Sequence, residues 1–293
     1  MRKYIVFLLI IFLLGSCGEF EPSSRLQVAA SIPPLADFVD QVGGEFVETK
    51  TIVPPGASPH TYELRSAQMR FLSEARLLVL NGAGLEYWAA DAVETVNNPR
   101  LEVLRTAQGM ELLAGKNCGE EHDHHRGNPH VWLDPQRAES KVRKITEALV
   151  EIASEHEDYF RANSEAYIAR LEEFDRDVRQ RIENWEHRKL VVQHAAWDYF
   201  ARRYELEVAG VIEQNHGQEP SASHLRKLIR TIDEQQIPVV FAEFQANRQF
   251  AELLAGEAGG AVGVVDPLGG ATGRQTYLQL MNYNLDELEK YLQ

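Results

Sequence analysis

Short apolar runs alternate with amphipathic stretches along most of the chain. In the first half, "LQVAAS" leads into a helical "PPLADFVDQVGG", and "FVETKTIV" runs into the loop "PPGASPHTYE". "ARLLVLNG", a helical "GLEYWAADAVETV" and a short "LEVL" follow. Strands that alternate with helices in this way predict a mainly parallel sheet with helices on both faces. From Arg137 to about His187 the period becomes helical, and from Ser164 onward Tyr167, Leu171, Phe174, Val178, Ile182 and Trp185 are spaced by threes and fours. That seam predicts either one long helix joining two lobes or a helical hairpin inside one domain. The strand–helix rhythm then resumes with "KLVVQH", "AWDYFARRY", "LEVAGVIE", "SASHLRKLIRTIDEQQ" capped by Ser221, "PVVFAEF" and "GAVGVVDP", and it ends in a helical "QTYLQLMNYNLDELEKYL". The expected fold is α/β: two lobes, each with a mainly parallel sheet flanked by helices, joined by a long backbone helix. The divisions are 25–160 for the N-terminal lobe, 161–187 for the linking helix and 188–293 for the C-terminal lobe.

The first 24 residues do not fit this rhythm. Arg2 and Lys3 precede eleven apolar residues, Tyr4 to Leu14, and then Gly15-Ser16-Cys17. A helix of that length is about 16 Å, too short for a bilayer core of about 30 Å. A charged start, a short apolar stretch and small residues at a cut point define an export signal. "LGSC" resembles a bacterial lipoprotein signal in which Cys17 becomes the lipid-bearing first residue of the mature chain. Residues 18–24 then form a tether, and the protein is expected outside the cytoplasm, periplasmic or at the cell surface, held to a membrane through Cys17. The other cysteine, Cys118, leaves the mature chain without an internal disulfide. It stands four residues before a histidine cluster, either as an incidental thiol or as an auxiliary metal ligand.

Thirty basic residues against 44 acidic ones give a net charge of −14. Such a surface repels a phosphate backbone, so no nucleic-acid partner is expected, while a negative field suits small cations. Four potential metal ligands stand where regular structure gives way to a loop: His60, His194 and Asp266 after strands, and His130 ahead of a helix. In open α/β sheets ligands collect at the carboxyl ends of strands. Two of the four precede the long helix and two follow it, so a site built from them lies in the interlobe cleft.

"VPPGASPHTYE", "NGAGLEYW", "NPHVWLDP", "QHAAWDYFARRYEL", "EPSASHL", "VVFAEFQAN", "VDPLGG" and "YLQLMNYN" occur in this order. With them the chain resembles the metal-binding subunits of bacterial zinc and manganese ABC importers, the ZnuA and TroA type. The resemblance implies a metal on His60, His130, His194 and Asp266, an ABC permease as partner, action as a monomer, and no catalysed reaction. It also implies that histidine at the third ligand position, here His194, marks a zinc binder where glutamate marks a manganese binder. Three imidazoles and a carboxylate suit tetrahedral Zn2+; Mn2+ or Fe2+ is the alternative cargo. Glu243 is the reserve ligand, or else an acceptor that orients a histidine through its other ring nitrogen. Glu63 and Asp134 are candidates for the same supporting part, or for capping and loop hydrogen bonds. His122, His124 and His125 match the place of a histidine-rich loop in zinc-binding relatives, either an auxiliary metal loop or a solvated one. His156, His187 and His224 are expected at the surface, and His216 at the cleft mouth without ligation.

Two rival functions make different demands. A zinc hydrolase needs an open coordination position and a base, and no HExxH motif supports it. A surface adhesin shares the lipoprotein signal and predicts function independent of the metal ligands.

Overall fold

Four short strands in each half of the chain pair in parallel, in the same spatial order twice. The computed structural model describes residues 25–114, 127–214 and 217–293. The signal and tether, Cys17, Cys118, His122, His124, His125 and His216 lie outside the described residues. In the N-terminal sheet β1 (Leu26–Ala30), β2 (Val47–Thr51), β3 (Leu77–Leu80) and β4 (Glu102–Arg105) are ordered β2-β1-β3-β4. The C-terminal sheet repeats this with β5 (Lys189–Val192), β6 (Glu207–Val211), β7 (Val239–Glu243) and β8 (Ala261–Val265), ordered β6-β5-β7-β8. All pairings are parallel. The central strands β3 and β7 are buried at every residue, which is why they read as unbroken apolar runs.

Helices cover both faces. α1 (Pro33–Gly43), α2 (Ser66–Glu74) and α3 (Ala89–Val96) flank the first sheet. α6 (Asp198–Arg203), α7 (Ala222–Glu234), α8 (Gln249–Ala258) and α9 (Tyr277–Leu292) flank the second. Between the halves the helical region divides into α4 (Pro135–Ile152) and α5 (Glu157–Glu183), which pack on each other. The long helix expected from the periodicity is α5, and a second helix, α4, precedes it and packs along it. At 27 residues, α5 is about 40 Å long. Its buried seam of Tyr167, Leu171, Phe174, Val178 and Ile182 belongs to one apolar cluster that also takes in Val28 and Phe38 of the first lobe and Phe241 and Leu285 of the second. The lobes thus share a core, and the strand ends of both open toward one cleft.

No helix among the described residues is long and apolar enough to cross a membrane. His156 ends a 3-10 turn ahead of α5 and stacks on Phe46 with ring centroids 3.7 Å apart, and His187 lies in the connection to β5; both are half-buried. His224 bonds the Val211 carbonyl at 2.8 Å.

Candidate metal centre

Each histidine is delivered by the chain leaving regular structure. Beyond β2, Ile52 and Val53 still donate to Ala30 and Ser31 before Pro54-Pro55-Gly56 turns the chain toward half-buried His60. His130 opens a tight turn, Val131–Leu133, whose three residues are fully buried. Asp134 then caps α4 by accepting from Gln136 N at 3.0 Å, with Pro135 at the first helical position, where a missing N–H costs nothing. His194 lies two residues past β5. The register Val192↔Phe241 sets it beside Glu243, two residues further along β7.

The Nε2 atoms of all three rings converge. His130 Nε2 is 3.1 Å from His60 Nε2 and 3.0 Å from His194 Nε2, and the three ligand atoms lie within 4.8 Å of one another. The outer nitrogens fix two tautomers. Asn128 Oδ1 accepts the His130 backbone N–H at 3.0 Å, which identifies it as the amide oxygen. The same oxygen is 2.8 Å from His130 Nδ1, so that nitrogen carries the proton. His194 Nδ1 meets the Glu243 carboxylate, again an acceptor. With both outer nitrogens protonated, neutral His130 and His194 turn their acceptor nitrogens toward each other across 3.0 Å, with His60 Nε2 beside them. A cation between the three rings suits this arrangement.

Burial lowers the His194 pKa, but the charge and hydrogen bond of Glu243, joined by Glu213 and Asp198, outweigh it and leave the value raised. Gln193 Nε2 donates to Glu213 at 2.7 Å, which turns this acid toward the same cleft. The cavity over the histidines is about 210 Å³, bounded by Ser58, Thr61, Trp132, Gln245 and Leu268 among others.

Asp266 is not brought into the histidine group. It is fully buried, and its Oδ1 accepts from Gln245 Nε2 at 2.6 Å, Leu268 N at 3.0 Å and Gly269 N at 2.9 Å. Its Oδ2 faces Arg274 Nε at 3.3 Å. Arg274 is itself clamped between the rings of Phe244, at 4.2 Å, and Tyr283, at 4.4 Å. Glu63 is exposed. Asp134, besides capping α4, pairs with Arg137 at 3.5 Å and Arg203 at 3.3 Å. Three contributors are absent from the sequence-based set. Asn128 and Gln193 stand close to His130 and His194 in "NPH" and "QH", a signal that adjacency could have supplied; Arg274 has none, because the loop that returns it to Asp266 follows no regular period.

A family model described as the zinc-uptake complex component A, periplasmic, matches residues 28–291. The high-affinity zinc uptake system protein ZnuA of Bacillus subtilis is 28% identical over 301 residues, covering 96% of this chain and 94% of that protein. The zinc-binding lipoprotein AdcA of Streptococcus pneumoniae is 27% identical over 292 residues, covering 96% of this chain; the chain spans 58% of AdcA's length. A crystal structure of ZnuA shares the fold with a TM-score of 0.83 at 30% identity, over 92% of this chain and 100% of that one. Sequence match and fold agree from the first strand to the last helix, and the chain belongs to the ZnuA family of non-enzymatic, metal-binding solute-binding proteins.

Proposed function

We propose that this protein captures Zn2+ outside the cytoplasmic membrane, anchored through Cys17, and hands it to an ABC permease. The observation that carries the reading is the convergence of the Nε2 atoms of His60, His130 and His194, with His130 3.1 Å and 3.0 Å from the other two. A tetrahedral zinc ion with Zn–N bonds of about 2.0–2.1 Å places its nitrogens about 3.3 Å apart. His130 Nε2 stands within a few tenths of an ångström of that spacing from both His60 and His194, so small adjustments of the rings seat the ion among the three. Three neutral imidazoles with no carboxylate among them favour zinc over manganese, which prefers oxygen donors and a larger shell. The relatives described as zinc-binding support the same choice. For the fourth position we favour water. Asp266 is engaged elsewhere, its Oδ1 by three hydrogen bonds and its Oδ2 facing Arg274.

The experiment is a competitive titration of the stripped, soluble chain with zinc and manganese, in the wild type and in His194→Ala. The wild type should take one zinc tightly and prefer it to manganese, and the variant should lose most of that affinity. Tighter manganese binding overturns the choice of metal; unchanged zinc affinity in the variant overturns the site.

A further inference from the structure

Lys141 is a fully buried cation that the metal site does not at first sight require. It sits on the buried face of α4 among Ala138, Val142 and Ile145, with no exposed surface. An ammonium so placed costs several kcal/mol unless its donors are used. Its Nζ donates to Asn81 Oδ1 at 2.7 Å and to Thr106 Oγ1 at 2.9 Å. The Thr106 hydroxyl proton goes to the Leu80 carbonyl at 3.0 Å, so toward Lys141 this hydroxyl acts only as an acceptor. The balancing charge is Glu86, which accepts from Ser31 Oγ at 2.6 Å, Asn81 N at 2.7 Å and Gly82 N at 2.9 Å. The cluster thereby ties α4 to the carboxyl ends of β1, β3 and β4.

The consequence lies in the Asn81 amide. Its two ends are nearly identical in shape, and the partners decide which way it points. Burial lowers the Lys141 pKa to about 7 against the pull of Glu86; the ammonium form offers only donors, so it holds Oδ1 toward α4 and turns Nδ2 the other way. There Nδ2 donates to the Pro129 carbonyl at 2.9 Å and to Gly82 O at 3.0 Å. Pro129 directly precedes His130 and has no N–H of its own, so this carbonyl is its one backbone hold. The other side of the turn is held from the second lobe, where Asn128 Nδ2 donates to Ala195 O at 2.5 Å and to Asp198 at 3.2 Å. We infer that Lys141 is a positioning residue for the metal: by orienting the Asn81 amide it fixes Pro129, and through it the direction of the His130 ring. A methionine in its place fills the same volume but leaves Oδ1 buried without its donor, so the amide is held only by the two carbonyls that Nδ2 meets.

This inference rests on His130 being a ligand. The test compares Lys141→Met, Lys141→Gln and Asn81→Asp with the wild type, reading zinc affinity by chelator competition, zinc release rate and the melting temperature of the metal-free protein. Thr146→Val serves as a control, because it removes a buried hydrogen bond from the same helix to Ser164 without touching Asn81. Lys141→Met should lose about tenfold in zinc affinity, mostly through faster release, and Lys141→Gln, which still donates to Asn81 Oδ1, should recover most of it. Asn81→Asp keeps a partner for Lys141 but cannot donate to Pro129, so it should show the same loss even if Lys141→Met fails to fold. Thr146→Val should lower the melting temperature and leave zinc affinity within twofold. The inference is overturned if Lys141→Met and Asn81→Asp melt differently from the wild type yet bind zinc within twofold of it. His130→Ala in the same assay separates the two ideas, since unchanged affinity there removes the metal site itself.

Discussion

Replacing Glu243 by glutamine removes the charge behind His194 and keeps an oxygen to accept its Nδ1 proton. The expected loss of zinc affinity at alkaline pH is about tenfold, the low end of the 10–100-fold range for partners of metal-bound histidines, or about 1.4 kcal/mol. The pH dependence gives a sharper test. Zinc needs a neutral imidazole, and Glu243 holds the His194 pKa above its ordinary value against the opposing effect of burial. As pH falls through that raised value, the wild type begins to pay for proton release; the variant does so only at lower pH. The tenfold gap seen at pH 8.5 should therefore narrow toward parity by about pH 5.5, around and below the ordinary histidine pKa of about 6.5. The metal-free protein should behave in the opposite sense. A raised histidine pKa stabilises the fold below about 6.5, and this contribution disappears as pH rises through the folded value. Glu243→Gln should thus lower the melting temperature more at pH 6 than at pH 8.5. Chelator-competition titrations and thermal melts across this range read both effects. A gap that is constant with pH, or that widens in acid, refutes the reasoning.

Asp266→Asn should leave zinc affinity within about threefold while costing about 3 kcal/mol of stability, because it strips the buried Arg274 of its counter-charge; titration and denaturant melts measure the two separately. Gly270 has φ of +80°, and a Cβ there would lie 2.7 Å from Pro55 Cγ, in the turn that leads to His60. Gly270→Ala should therefore weaken zinc binding by about tenfold, a loss of about 1.4 kcal/mol, as well as destabilise the fold, and normal affinity in a folded variant counts against coupling through this contact. Deleting residues 120–125, which removes His122, His124 and His125, should leave one tight zinc site, as isothermal titration can count.

The parts of the molecule legible in the sequence are those governed by local pattern. β3 and β7 announce themselves because both faces are buried, and α9 through a capping box of Thr276 and Gln279. The break between α4 and α5 is hidden, because it falls at Ala153 (φ −140°, ψ 64°) without a glycine or proline to mark it. α2 and α8 were not anticipated; α2 buries only Phe71 and Leu72, too few to show a period. At the site, His60, His130 and His194 stand out because each begins a loop after ordered structure or a motif that fixes one. The engagement of Asp266 does not, since Arg274 comes from a glycine-rich loop whose path only the packed fold determines. Asn81 and Lys141 lie 60 residues apart, and no short-range pattern links them.

The three imidazoles are held unequally, and this bears on release. His130 and His194 are bound together across the lobes. Asn128 Nδ2 donates to Ala195 O at 2.5 Å, Tyr199 OH to Asn128 O at 2.7 Å, and Trp132 Nε1 to Pro267 O at 2.7 Å. Tyr277 OH donates to Trp132 O at 2.8 Å, and Asp37 receives both Tyr167 OH at 2.8 Å and Tyr277 N at 2.9 Å. At about 0.5–1.5 kcal/mol each, these bonds make prying the lobes apart a matter of several kcal/mol before any of the shared core is exposed. The backbone turns on either side of His60 are local by comparison: Ala57 donates to Pro54 at 3.1 Å and Thr61 to Ser58 at 3.4 Å. Withdrawing that loop leaves the ion on two imidazoles and disturbs neither sheet. A partner that unloads this protein therefore gains more by acting on residues 54–61 than by opening the lobes as a hinge.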